Sequence, residues 1–250
     1  LENIEPKIII DNISRGHRLI NNKILINHPD NYLASLEASG VLANRTKRKK
    51  TINDLINNSA DNLKLYPDLS DKLLNEITDL VESPDLLVGN FDSKYLSLPT
   101  EVLCTVMKNH QRYVPLFKIN RKFSKLDLDS RKTLSTKFFV ISNGLKEANK
   151  SITKGNENVI KARFADAKFF IETDLNLSCN ERNKKISSIS YLKGLGNIAD
   201  KVERIIFIAN EIFIAIKDPS VNVRHLLEAA KFSKHDLSSE IVKEFPELQG

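Results

Sequence analysis

The 250-residue chain contains no tryptophan, a single methionine and only two cysteines. Cys104 and Cys179 lie far apart in sequence and outside any CxxC or zinc-ligand spacing, which predicts reduced thiols rather than a disulfide. No apolar run approaches the roughly 18 residues that a membrane-spanning helix needs, and no secretory signal opens the chain. The sequence therefore predicts a cytoplasmic protein that has no membrane partner.

The motifs of the common catalytic classes are also missing. The chain has no GxSxG, no P-loop, no GxGxxG and no zinc HExxH, and no ATP-binding arginine motif stands in a strand-rich setting. These absences predict that the chain carries no catalytic residue, metal or cofactor of its own.

Positive charge is present but moderate. The formal net charge is +6, which suits a polyanionic partner and fits a generic basic protein nearly as well. The basic run at residues 45–50 could grip phosphates, but a charge run near a helix start is usually a solvated face, and that interpretation is favoured.

Hydrophobic periodicity predicts an α+β fold class, with a mixed α/β domain at residues 1–148 followed by an all-α helical domain at 149–250. Pro115 predicts that its strand lies at a sheet edge or carries a bulge, and residues 118–136 are predicted to form a mobile hairpin loop. Predicted strands fall within residues 7–26, 85–91, 112–118 and 137–143, and predicted helices within 29–39, 44–63, 70–81 and from Pro99.

Arg163 is the first of two candidate sites in the helical part. It projects from an apolar helical arc that includes Ile160 and Phe164, where an unpaired charge is costly. The favoured prediction is a structural ion pair with Asp166, although Asp174 or a distant carboxylate would also serve. The alternative is that Arg163 contacts a neighbouring domain or RNA.

The second candidate is the pair His235 and Asp236, which resembles the metal pair of the His-Asp (HD) hydrolase superfamily. A metal site needs further ligands within a few Å, and the nearest histidine, His225, is ten residues away. We therefore expect no metal here, and a metal-dependent phosphohydrolase of the HD type is kept as an alternative function.

Seven blocks, taken together and in order, closely resemble one family, the β subunit of the bacterial heterotetrameric glycyl-tRNA synthetase. No single block would decide the match, but together they cover nearly the whole chain. The blocks are RGHR (15–18), ESPDLLVGNFDSKYLSLPTEVL (82–103), MKNHQRYVPLF (107–117), FFVISNG (138–144), GNENVIKARFADAKFFIETDL (155–175), LGNIADKVERI (195–205) and EFPELQG (244–250).

The resemblance implies an internal fragment of a longer subunit, with a B3/4-like mixed domain, its amino-terminal part missing, and the beginning of an HD-type helical domain. It also implies an α2β2 tetramer in which the α subunit uses ATP with magnesium to activate glycine. The β subunit would support the binding of tRNA(Gly) for glycylation, with a pure assembly scaffold as a further alternative.

Five basic residues that could neutralise phosphates are the candidate tRNA contacts, and four of them lie within these blocks. Within MKNHQRYVPLF, His110, Gln111 and Arg112 place three polar side chains between a helix and a strand, and a structural junction is favoured there over an RNA contact. The residues predicted to bind tRNA phosphates are Arg15, Arg18, Arg48, Lys108 and Arg112.

Overall fold

The computed structural model describes residues 11–20, 23–120 and 130–249. These residues are mainly helical, and their strands form three small antiparallel sheets. The chain divides into a first compact unit, residues 1–100 and 107–161, and a second unit, residues 101–106 and 162–250. The α+β fold class is thus confirmed. The predicted strand segment at residues 7–10 and the centre of the predicted loop, 121–129, lie outside the described residues.

Helices and strands alternate in the first unit, and helices prevail in the second. The helices are α1 (Tyr32–Ala38), α2 (Arg45–Leu63), α3 (Asp71–Leu80), α4 (Thr100–Thr105), α5 (Ser130–Thr133), α6 (Asn149–Leu175), α7 (Cys179–Lys185), α8 (Ile198–Ile216), α9 (Val223–Phe232) and α10 (Glu240–Glu244). The strands are β1 (Ile13–Ser14), β2 (Ile24–Leu25), β3 (Tyr66–Pro67), β4 (Asp85–Asn90), β5 (Val114–Phe117), β6 (Leu134–Ser142), β7 (Ser190–Leu192) and β8 (Gly196–Asn197).

The helices of the first unit begin where side chains can satisfy free backbone amides. Asn44 caps α2 by accepting a hydrogen bond from the Lys47 amide, and Ser70 caps α3 in the same way from Leu73. Gly40, at φ +80°, follows the end of α1, as the sequence predicts. The caps at Asn44 and Ser70 explain why the predicted boundaries of α2 and α3 hold to within one residue.

The main sheet of the first unit has the order β3–β5–β6–β4, with all neighbours antiparallel. Strand β5 therefore lies inside the sheet, and the prediction of an edge position for Pro115 is wrong. The prediction of a bulge is confirmed, because the register shifts between Pro115 and Phe117. The shift accommodates a residue without an N–H, while the Pro115 carbonyl still accepts a hydrogen bond from the Asp68 amide at 2.9 Å.

The core of the first unit forms where α2 and α3 cover one face of this sheet. Apolar side chains at helical spacing on both helices meet the inward side chains of β5 and β6. The buried members are Ile52, Ile56, Ala60, Leu73, Leu74, Ile77, Val81, Val114, Leu116 and Phe139. Burial of this set stabilises the unit by removing apolar surface from water.

The second unit is helical except for one short hairpin, so the all-α prediction for residues 149–250 is wrong in this detail. Strands β7 and β8 pair antiparallel, and Gly194 and Gly196 adopt φ of +85° and +79° in and beside the turn. Strands of three and two residues are too short to show a clear alternation of apolar and polar positions. A small core around Ile186, Ile198 and Val202 supports the hairpin and the start of α8.

The C-terminal half of α8 exposes more large apolar side chains than any other described helix. These are Phe207, Ile208, Ile212, Ile214 and Ile216. Residues 205–216 contain one charged side chain, Glu211. Despite this composition, no described helix is long and apolar enough to cross a membrane.

Candidate nucleic-acid interface

The RGHR segment is anchored to the first unit by its histidine. The His17 ring is fully buried, with Nε2 3.0 Å from the carbonyl oxygen of Asn143 and Nδ1 accepting the Leu19 amide at 3.4 Å. Because Nδ1 accepts, Nε2 carries the proton that is donated to Asn143. The backbone amide of His17 also donates to Ser39 at 2.9 Å. The segment is thus fixed at its centre.

Asn143 joins two further segments that resemble the family. Its side-chain Oδ1 accepts hydrogen bonds from the amides of Glu82 at 2.9 Å and Ser83 at 2.8 Å, while its carbonyl accepts from His17. Three sequence blocks far apart in the chain therefore meet at one residue, through its backbone carbonyl and its side chain. Sequence reasoning missed this role, because an asparagine after a strand gives no signal of its distant partners.

Arg15 and Arg18 are placed on the surface by this anchor. They stand on either side of the buried Gly16–His17 pair, and both are exposed. Neither makes an ion pair or a side-chain hydrogen bond within residues 11–20, 23–120 and 130–249. Two exposed guanidinium groups on a fixed segment have the donors that phosphate oxygens require.

Arg48 is placed differently, because its guanidinium serves backbone carbonyls. Nε donates to Thr78 at 2.9 Å, and Nη1 donates to Leu42 at 2.6 Å and to Ala43 at 3.3 Å. The half-buried side chain thereby ties the start of α2 to the last turn of α3. This geometry favours a structural role over the predicted phosphate contact.

The neighbouring cations of the basic run are also paired within the chain. Arg45 donates to both carboxylate oxygens of Asp79 at 2.7 and 2.8 Å, and this hydrogen bond lowers the pKa of Asp79. Lys47 contacts both oxygens of Glu37 at 2.6 and 2.8 Å. Two cations of the run are therefore neutralised by carboxylates on the same surface.

Lys108 and Arg112 are likewise engaged inside the first unit. Lys108 Nζ lies 2.8 Å from Asp68 Oδ2, with both side chains mostly buried. Arg112 Nε lies 3.1 Å from Glu76 Oε2, and the same guanidinium contacts the carbonyl of Asn109. The carboxylates already neutralise these cations, which favours the junction interpretation of the MKNHQRYVPLF block.

The backbone of that block explains the abrupt change from helix to strand. A π-helical turn, Val106–His110, follows α4, and Arg112 adopts a left-handed φ of +56°. The amide of Tyr113 then donates back to the carbonyl of Met107 at 2.9 Å. This wide turn reverses the chain without a glycine.

Tyr113 closes the junction on the interior side. Its ring is 4% exposed, and its hydroxyl donates to Asn156 Oδ1 at 2.6 Å. The Asn156 amide group donates to the Ile152 carbonyl at 2.8 Å, so the asparagine is held in place. Burial raises the pKa of Tyr113 to about 12.

Arg163 lies nearest to a distant carboxylate, Glu244, and not to Asp166, the favoured partner from the sequence. The guanidinium is about two-fifths exposed and lies 3.9 Å from Glu244, whereas Asp166 is exposed and forms no ion pair among the residues of the described ranges. Residues 163 and 166 are only three apart, but Arg163 extends toward the more distant acid. Asp174 is buried and accepts the amides of Glu240 and Ile241 at 2.8 and 3.0 Å.

The His235–Asp236 pair begins a short 3-10 helix after the end of α9, so His225 and His235 do not lie on one continuous helix. His235 Nδ1 is 2.7 Å from the carbonyl of Phe232. Within the described part of the chain, no three His, Cys, Asp or Glu side chains are grouped so that they could hold a metal ion.

Comparison with known proteins gives the chain its class. A family model described as the glycyl-tRNA synthetase beta subunit matches residues 4–250. The chain is 37% identical to the glycine–tRNA ligase beta subunit of Trichodesmium erythraeum (strain IMS101), covering 100% of this chain and 34% of that protein. It is 35% identical to the same subunit of Bacillus subtilis (strain 168), covering 95% of this chain and 33% of that protein.

These matches define the class as that of aminoacyl-tRNA synthetase subunits. Within this class, the chain belongs to the family of glycyl-tRNA synthetase β subunits. The resemblance of the seven sequence blocks is thereby confirmed. The chain spans about a third of the length of the curated relatives it matches.

Proposed function

We propose that this chain is a tRNA-contacting part of a glycine–tRNA ligase β subunit, which supports glycylation of tRNA(Gly) by a separate α subunit. The observation that carries the tRNA contact is the pair Arg15 and Arg18, held outward on either side of buried His17. Family membership supplies the reaction class. In this proposal ATP with magnesium is used by the α subunit, in an α2β2 assembly in the cytoplasm.

The proposal extends to the two parts of the chain. The mixed unit corresponds to a B3/4-like domain, and the helical part corresponds to the beginning of an HD-type domain in which the His235–Asp236 pair has no metal. Two contacts support a non-metal role. His235 contacts the carbonyl of Phe232, and the carboxylate of Asp174 accepts a hydrogen bond from the backbone amide of Glu240.

The test is a titration of tRNA(Gly) with the full-length β subunit at several salt concentrations. Each phosphate contact contributes a slope of about −0.7 to −0.9 to the plot of log affinity against log salt. We expect Arg15→Ala/Arg18→Ala to lower the affinity and to make the slope shallower by about two such contributions. Arg45→Ala/Lys47→Ala is the matched control, because it also removes two cations, both paired within the chain.

Three outcomes separate the alternatives. Equal loss in both double variants would mean that only net charge matters and would overturn the assigned contact. A stoichiometric metal together with phosphatase activity would favour the HD-type phosphohydrolase. Retention of the α subunit without any tRNA binding would favour a pure assembly scaffold, for which the exposed apolar side chains of α8 are the supporting feature.

A further inference from the structure

A cavity of about 400 Å³ opens in the first unit where α2 passes the edge strand β3. Its walls include Asn53 and Asn57 from α2, Tyr66 from β3, and Asp68 immediately after that strand. These side chains combine amide, phenol and carboxylate groups around one opening. None of the residues that line the cavity belongs to the segment that carries Arg15 and Arg18.

The wall formed by α2 presents the polar side chains of Asn53 and Asn57. Lys49 is not part of the wall, but it lies four residues before Asn53, so the three side chains follow one side of the helix. At a rise of 1.5 Å per residue, the line from Lys49 to Asn57 is about 12 Å long. Neither asparagine amide is hydrogen-bonded to another group among the residues that the structure describes. Each amide can both donate and accept.

The opposite wall presents an aromatic ring. Tyr66 is 45% exposed, and its strand β3 is the outermost strand of the sheet among the residues that the structure describes. An exposed tyrosine ring beside amides is a stacking surface with hydrogen-bonding groups at its margin. Its hydroxyl makes no hydrogen bond within the described part of the protein.

The third wall group is a carboxylate in a fixed position. Asp68 is held by Lys108, at 2.8 Å, and by its own backbone amide, which donates to the Pro115 carbonyl at 2.9 Å. A carboxylate only accepts hydrogen bonds, so it favours a ligand group that carries N–H donors. Lys108, predicted from the sequence as a phosphate contact, here positions a wall of the cavity instead.

We propose that this cavity binds one unpaired nucleobase of an RNA ligand. The base stacks on Tyr66, its edge meets the amides of Asn53 and Asn57, and an exocyclic amino group donates to Asp68. Its phosphate lies beyond the cavity wall, toward Lys49, whose only described carboxylate contact is long, at 3.8 Å, and involves the largely exposed Asp71. This inference rests on the proposed tRNA-binding function and names a base-contacting site for it.

The recognition chemistry predicts a preference among bases. Adenine, cytosine and guanine carry an exocyclic amino group and uracil does not. Mononucleotides of the first three should therefore bind the cavity more tightly than uridine monophosphate. Stacking alone would not separate uracil from cytosine in this way, because every base has a π-face.

The experiment uses the full-length β subunit in complex with its α subunit. Tyr66→Ala should lower the affinity for tRNA(Gly) about tenfold, as expected for the loss of one stacked base, without changing the salt slope. Tyr66→Phe keeps the ring and should bind within twofold of the wild type. Asn57→Ala should also weaken binding, whereas Asn58→Ala, an exposed neighbour outside the cavity, is the matched control.

Titration with the four nucleoside monophosphates completes the test. The difference between wild-type and Tyr66→Ala complexes isolates this cavity from the nucleotide site of the α subunit. If nucleotides bind in a way that depends on Tyr66 but tRNA does not bind, the cavity is a nucleobase site and the proposed tRNA-binding function is refuted. Normal tRNA binding by Tyr66→Ala and Asn57→Ala, with no such nucleotide binding, would refute the cavity assignment alone. Equal losses for Tyr66→Ala and Tyr66→Phe would overturn stacking.

Discussion

At the scale of single residues, Tyr113 shows how a buried polar group makes stability depend on pH. Its pKa is raised to about 12 in the folded protein by burial, compared with about 10 in an unfolded chain. A raised pKa means that the folded state holds the proton more tightly. The stabilising contribution is therefore complete below about pH 10 and is lost as the pH rises toward 12.

We predict that Tyr113→Phe removes this alkaline loss of stability. At neutral pH the variant should be about 1 kcal/mol less stable, because it lacks the hydrogen bond to Asn156. Between about pH 10 and 12 the difference from the wild type should shrink, since phenylalanine does not ionise. Denaturant unfolding of both proteins from pH 7 to 12 measures this. Parallel stability curves would contradict the assignment.

Arg163 illustrates the opposite case, a charge that proves to be only partly buried. Its contact with Glu244 is long, at 3.9 Å, and both side chains are more than 40% exposed. We predict that Arg163→Leu costs less than about 1 kcal/mol of unfolding free energy. Thermal or urea unfolding, with Glu244→Gln for comparison, checks this. A loss of about 3–5 kcal/mol, as for a broken buried pair, would show that the environment is far less solvated than described.

At the scale of elements, the pairing of β4 with β6 depends on a glycine. Gly89 lies opposite Phe138, and a Cβ at this position would come within 2.8 and 2.9 Å of ring carbons of Phe138. The Phe138 ring is fully buried and stacks on Tyr113 with centroids 5.0 Å apart, so it has little room to move.

We predict that Gly89→Ala destabilises the protein by about 1–3 kcal/mol through overpacking. The neighbouring Val88→Ala is a suitable control, because Val88 points to the other face and is 42% exposed. Equilibrium unfolding of the two variants provides the measurement. If Gly89→Ala were as stable as the wild type, the close packing of the ring on the β4 backbone would be wrong.

Elements with local signals were predictable from the sequence, and elements fixed by distant contacts were not. The caps at Asn44 and Ser70 and the apolar spacing of Ile52 and Ile56 are local, and they located α2 and α3 correctly. The interior position of β5 depends on its pairing with β3, in which Tyr66 lies 51 residues before its partner Phe117. A proline rule that considers only one strand could not show this.

The candidate sites divide in the same way. The sequence predicts five cations as phosphate contacts because their side chains are basic, but three of them have partners in the fold. Arg48 is engaged by carbonyls, Lys108 by Asp68, and Arg112 by Glu76. Tertiary packing decides whether a cation on a helix or turn lies beside a carboxylate, and the hydrophobic periodicity of the sequence does not show this. The outward position of Arg15 and Arg18 follows from the burial of His17.

At the scale of the whole molecule, the function proposed above has this chain contact tRNA while another subunit carries out the chemistry. The chain covers about a third of its curated relatives, so the complete β subunit with its partner is the system in which this division must hold. A contact that serves tRNA binding should affect the tRNA-dependent step and leave glycine activation unchanged.

The most direct measurement compares two reactions of the full α–β complex carrying Arg15→Ala/Arg18→Ala. These are glycine-dependent exchange of pyrophosphate into ATP, and glycylation of tRNA(Gly) at varied tRNA concentration. The account predicts wild-type exchange and a KM for tRNA raised about tenfold or more, while the control Arg45→Ala/Lys47→Ala keeps its KM close to the wild-type value. Impaired exchange, or an unchanged KM for tRNA, would contradict the account.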